Sequence, residues 1–338
     1  MDKLVERDFS EMGLKLKCYV DRGRVAGGTE AREEPMTNVK PDASLVKPLR
    51  RKTDFAGSFM AVDCSTRTIK RANNWGIYLM RPSFAIVRNR IVNLGFKERI
   101  CTVVGDAHTR SNYLVDVRIE LESEMALGLL HDGKEGSYYE DPDARSNFLL
   151  LDGGGYFGGE RKFRVSLYEK SEKIGLNLLA IRKNSPSLHD TKVETSLLPL
   201  RALIPSGLGF ITLLEKPIRT SLYGDISVIK LYNGSDYVFR CDIMDYLTDQ
   251  DISVLLSPLT CISEDPRCLG YSISLYLTHD FSAPSNSMLL SYHDMVEETL
   301  KETDLLKTLQ REELCCSFAD EIHGLKHAFQ RERWNDQY

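Results

Sequence analysis

The sequence predicts an α/β protein in which a mixed sheet carries helices on its faces, with helical extensions at both ends. Three observations predict it. Two runs, Phe59 to Asp63 and Asn147 to Asp152, are apolar at nearly every position, the pattern of strands covered on both faces. Between them lies a stretch in which Ile119, Glu122, Ala126 and Leu130 recur at spacings of three and four, the period of a helix. The residues from Met295 onward interleave charges with apolar positions at helical spacing.

In chain order, MDKLVERDFSEMGLKLK reads as a short helix, and residues 20 to 50, rich in Gly, Pro, Glu and Arg, show no period. Residues 1 to 50 are therefore expected to be an N-terminal helix with a flexible segment, and residues 51 to 338 the folded domain. From Asp54 the elements read as a strand ending at Asp63, a turn at Asn73 and Asn74, a strand from Trp75 to Val87, a strand from Arg99 to Ala107, and a helix from Tyr113 to Leu130. A charged, glycine-containing loop precedes the strand ending at Asp152. Beyond it the sequence predicts a helix over 194 to 204 and strands from Gly209 to Lys216, Gly270 to Leu277 and Ser287 to Tyr292. Two helices follow, from Met295 to Gln310 and around Cys315 to Glu332.

A chain of 338 residues, 42% hydrophobic and 28% charged, has the composition of a soluble globular protein with room for its own core. No run approaches the roughly 20 apolar residues that span a bilayer, so no membrane is expected and the location is expected to be cytoplasmic. The eight cysteines form no CxxC pair and no zinc-type spacing, which points to reduced thiols. A net charge of -5 argues against a surface coated for nucleic acid, but a basic groove on an acidic body remains compatible with it. Local basic clusters are Lys47 to Lys52, the arginines Arg81, Arg88 and Arg90, and Glu160 to Arg164.

Asp63 and Asp152 end two central strands, and functional sites in open α/β sheets favour strand ends. Two carboxylates brought together resist ionising at once unless a cation neutralises them. Oxygen ligands favour magnesium or manganese over zinc. Glu122 shares a helix face with apolar residues and offers a third carboxylate, with Glu124 as the alternative. Cys64, Ser65 and Thr66 after one aspartate, and Gly153, Gly154 and Gly155 after the other, are small enough for a ligand to approach closely.

These residues resemble the NurA nucleases, partners of the HerA translocase in archaeal DNA-end processing. The resemblance lies in AVDCSTR, LESEMAL, LLLDGGGY and FITLLEKPIRTSLYG, in that order, and spans about residue 55 to the C-terminus. It implies a ribonuclease-H-like core that binds two manganese or magnesium ions through Asp63, Glu122 and Asp152. It implies a metal-dependent 5′-3′ DNA exonuclease, with single-strand endonuclease activity, in DNA-end resection and recombinational repair, working as a homodimer with a HerA-like hexameric ATPase. The family also places a histidine at the end of a Tyr-Pro segment closing on Ala-His. The counterpart here is expected in CCSFADEIHGL, at His323, with Cys315 and Cys316 where tyrosine and proline should stand; His293 and His279 are the alternatives. Lys216 and Arg67 are expected to bind DNA phosphates. Two rivals are a non-catalytic subunit of a DNA translocase and an actin-like kinase using DCSTR as a phosphate turn; for the kinase, Asp152 follows Asp63 too soon.

Overall fold

The computed structural model describes residues 8–9, 11–15, 17, 37–38, 43–130, 146–153, 164–182, 193–194, 204, 207–214 and 224–322. A ten-stranded mixed sheet runs through it. β1 (Phe59–Ala72) and β2 (Trp75–Arg88) form a long antiparallel hairpin. β2 bends between two further partners: β3 (Ile91–Phe96) pairs along its second half and β4 (Arg99–Val104) along its first. The β2–β3 turn holds Asn89 and Arg90 at φ 48° and 66°, the two left-handed positions that a tight hairpin requires.

The chain then crosses over. α1 (Ala107–Leu129) is capped by Asp106, whose side chain accepts from the Thr109 amide at 2.7 Å. β5 (Phe148–Asp152) returns parallel to β1. α2 (Val165–Ile174) stops at Gly175, whose φ of 70° provides the left-handed cap, and β6 (Asn177–Arg182) lies parallel to β5. β7 (Gly209–Leu214), β8 (Asp225–Lys230) and β9 (Phe239–Ile243) extend the sheet antiparallel, so the order is β7-β8-β9-β6-β5-β1-β2-β3, with Lys47–Pro48 outside β7. α3 (Ile273–Ser282), α4 (Asn286–Glu302) and α5 (Leu306–Ile322) follow. The expected mixed sheet flanked by helices is present.

Strand alternation sends Asp63, Ser65 and Ser83 to one face and Cys64 and Met80 to the other. α3 covers the first face, where Ser65 Oγ donates to Ser282 O at 2.5 Å and Ser83 Oγ donates to Thr278 O at 2.8 Å. α1 covers the second, with Leu121 against Cys64 and Met80. Leu149, Leu150 and Leu151 of β5 are wholly enclosed, which is why that strand shows no alternation in its sequence.

Four expectations are corrected. β1 continues past Asp63 to Ala72, because β2, buried along nearly its whole length, offers a pairing ladder that the more polar second half of β1 follows. Gly270 to Leu277 is not a strand: from Ile273 it is helix α3. Its apolar residues alternate, but its buried face is a stripe of small residues, Ser274, Thr278 and Ser282, at helical spacing of four. Ser287 to Tyr292 is likewise helical, capped by Ser285, whose hydroxyl accepts from the Met288 amide. The helix expected over Met295 to Gln310 is broken near Asp304, where φ is 56°. The helix expected over 194 to 204 falls almost wholly outside the described residues; Glu194 belongs to a two-residue strand.

The distal half of the β1–β2 hairpin has its own core, in which Trp75 and Ile77 meet Val296 and Leu309 as well as Phe9 and Met12 near the N-terminus. Asp8 anchors this end through Arg99, with Nε to Oδ2 at 2.8 Å. Lys70 anchors the other helices: it is 5% exposed and sits 2.9 Å from Glu297 of α4 and 3.1 Å from Glu313 of α5. No described helix is long and apolar enough to cross a membrane.

Lys70→Met keeps the buried stem and removes the charge, leaving two carboxylates without their common counter-ion. Because both glutamates keep some contact with water, the expected loss is roughly 2 kcal/mol, below that of a fully buried pair. Chemical denaturation measures it, and an unchanged midpoint would show that Lys70 does not hold α4 and α5 to the hairpin.

Candidate metal centre and active site

The centre of the site is a matter of register. Val62 of β1 pairs with Leu151 of parallel β5, so the next residues, Asp63 and Asp152, stand side by side and project to the same face. Asp63 is buried and Asp152 is partly so. β5 ends at Asp152, and Gly153 turns the chain away at φ 117°, a left-handed conformation that favours glycine. A β-carbon built on Gly153 would meet none of the described residues within 4 Å, so among them the space beside Asp152 is open.

The second contribution comes from one helix. Tyr271, just before α3, places its hydroxyl 3.0 Å from Asp152 Oδ1 and 3.2 Å from the Ile181 carbonyl. Burial, and then the charge of Asp152, push this hydroxyl well above the ordinary tyrosine range, so it keeps its proton to donate. Two turns on, His279 Nδ1 lies 2.9 Å from Asp63 Oδ2, while the Cys64 amide donates to Oδ1 at 2.8 Å. A carboxylate only accepts, so Nδ1 is the donor in this bond. Asp63, Asp152 and His279 each offer a ligand atom, all within 4.8 Å of one another. Two carboxylate oxygens and an imidazole nitrogen make a donor set that could hold a divalent cation.

Glu122 does not enter this group. It sits on α1, across the sheet, where Arg164 donates to Oε2 at 2.7 Å and Arg118 Nε lies 3.6 Å from Oε1. Oε1 itself accepts no hydrogen bond. Burial raises the Glu122 pKa to about 7 against the pull of the two arginines, and the charges of Asp63 and Asp152 raise it further. Cys64 also faces this side, and burial followed by the charge of Glu122 holds its thiol well above the usual range.

The remaining expected residues divide. Arg67 projects to the same face as Asp63, four positions along β1 and roughly 13 Å away. His293 lies on α4, near Asp294 and Glu297. Glu124 is exposed on α1. His323, Lys216, Gly154 and Gly155 lie outside the described residues. Two basic clusters are internal in part, since Arg81 is buried against Glu98 and Arg164 is buried against Glu122. Ser65 is bonded to α3, so the room expected after Asp63 is found after Asp152 instead. Sequence reasoning missed Tyr271, although GYSISLYLTH carries a signal: a tyrosine opens the segment and a histidine closes it, as in the expected Tyr-Pro to Ala-His pattern. Reading this segment as a strand hid that match.

No family model matches the sequence, and no curated protein does. Among solved structures, the chain is similar to the crystal structure of the NurA nuclease from Sulfolobus solfataricus, at TM-score 0.57 and 16% identity over 77% of this chain and 89% of that one. It is also similar to a crystal structure of NurA with manganese, at TM-score 0.50 and 13% identity over 76% and 91%. At these identities the likeness shows the fold, a ribonuclease-H-like sheet with flanking helices.

The raised Glu122 pKa has a defined consequence for metal-free protein. The folded state holds this proton up to about pH 7, whereas the unfolded chain releases it near 4.5. Stability from this group is therefore fully present below the lower value and is lost as pH rises through the higher one. Glu122→Gln, which cannot ionise, is expected to gain stability relative to wild type as pH rises from about 4.5 to about 7. Thermal melts in chelator across that range measure the difference, and a pH-independent difference would overturn the assignment.

Proposed function

We propose that the protein is a divalent-metal-dependent deoxyribonuclease that hydrolyses phosphodiester bonds. The observation that carries the reading is the convergence of Asp63, Asp152 and His279 within 4.8 Å at the meeting of two parallel strands. Manganese or magnesium, one ion or a pair, would supply positive charge to the phosphate oxygens and a more acidic bound water.

Asp63 and Asp152 hold the cation, and Tyr271 keeps Asp152 in orientation by hydrogen bond. Glu122, held by Arg164 and Arg118 on the α1 side of the sheet, stands outside the proposed ligand set. His279 takes the role the sequence assigned to His323. With Nδ1 donating to Asp63, its Nε2 can accept or return a proton at the phosphate, as general acid–base work requires. Arg67 binds a flanking phosphate and Lys216 another, without reading sequence.

The resemblance to NurA supports the finer parts of the proposal. The enzyme acts 5′ to 3′ on DNA ends and cuts single strands internally. It works as a homodimer with a HerA-like hexameric ATPase in end resection and recombinational repair, in the cytoplasm. Residues 1 to 50 form the appended N-terminal segment of this nuclease domain.

Asp152→Asn and His279→Ala are expected to slow manganese-dependent digestion of end-labelled linear DNA by roughly a hundredfold or more. The Asn variant should also bind manganese more weakly by calorimetry while melting near or above wild type, since it relieves repulsion between two aspartates. Wild-type rates in both variants would sink the proposal.

A further inference from the structure

We infer that Tyr276 is a stacking platform for an unstacked nucleobase of single-stranded DNA, placed beside the metal centre on the same helix that positions it. The inference rests on the nuclease reading and adds a determinant of substrate form to it.

The placement follows from helix geometry. Tyr276 precedes His279 by three residues, which puts it about one turn toward the helix N-terminus and about 60° around the axis. The buried face of α3 is formed by Ser274, Leu275, Thr278 and Ser282. His279 lies on one flank of that face, its side chain half exposed beside Asp63. Tyr276 lies on the same flank, one step further out toward solvent. The opposite flank is occupied, with Phe281 against Phe96 at a ring separation of 5.4 Å. Helix side chains lean toward the N-terminus, so the Tyr276 ring leans toward the end of α3 where Tyr271 meets Asp152 and the space beside Gly153 is open.

Chemistry favours the same use. Tyr276 is 39% exposed, and among the described residues its ring and hydroxyl make no hydrogen bond or ring contact. An exposed aromatic next to a buried acidic centre has no role in the core, whereas bases of a single strand stack on aromatic faces regardless of sequence. A duplex keeps its bases stacked on each other and offers no free face.

The test compares wild type, Tyr276→Phe and Tyr276→Ala for binding of oligothymidylate and of an abasic deoxyribose-phosphate tract of equal length, in calcium, by fluorescence anisotropy. Tyr276→Ala is expected to bind oligothymidylate about tenfold more weakly, Tyr276→Phe to match wild type, and all three to bind the abasic tract equally. Equal binding of oligothymidylate by wild type and Tyr276→Ala overturns the inference, as does an equal loss on the abasic tract. Parallel digestion in manganese separates the two readings: a base-dependent binding defect with no cleavage by wild type leaves the platform standing and removes the nuclease.

Discussion

Val62 beside Leu151 is the pairing on which the site turns. A strand's side chains alternate with a period of two, so a slip of one residue between β1 and β5 would send one aspartate to the opposite face and separate the two carboxylates by the thickness of the sheet. What prevents the slip is burial. Phe59 to Val62 and Phe148 to Leu151 are enclosed on both faces, with Phe59 and Phe148 stacked at 5.3 Å. The position of an acidic pair is thus set by residues that carry no charge.

The cost of that placement is met by α3. Tyr271 and His279 each give a hydrogen bond to one aspartate, and the small hydroxyl residues between them let the helix lie close to the sheet. Thr278 and Ser282 return their own hydroxyls to helix carbonyls, Ser274 O and His279 O, so the polar stripe carries its own satisfaction into the interior. Glu122 is managed differently. Its arginine partners offset charge on the far face of the sheet, where the fields of Asp63 and Asp152 still reach it.

Much of this was legible in the sequence where apolar runs were long. The two aspartate-bearing strands, the crossover helix between them and the mixed sheet follow from residues 59 to 152, because fully buried strands leave continuous apolar runs and a helix of over twenty residues leaves a sustained period. Later elements were less legible. β6, β8 and β9 are short, and α2 with its Gly175 cap was overlooked although a helix stop followed by NLLAIR is a readable pattern. α3 was misread for a physical reason: its buried face is built of serine and threonine, so the hydrophobic pattern reported only its sides. That one misreading also hid Tyr271 and left His279 as an alternative to His323, which lies outside the described residues. The internal partners of Arg81 and Arg164 are tertiary facts with no local signature.

Asp63 and His279 are 216 positions apart in the chain. Between them lie the crossover to β5, the whole antiparallel extension of the sheet and the return to α3. Closing so long a loop costs configurational entropy that only the surrounding non-local contacts repay, and topologies of this kind fold slowly. The three groups of the cluster therefore have no local precursor. A growing chain holds Asp63 and Asp152 long before His279 and Tyr271 emerge, and its acidic pair stays unbraced until synthesis reaches α3. The cluster comes into being only when the domain closes.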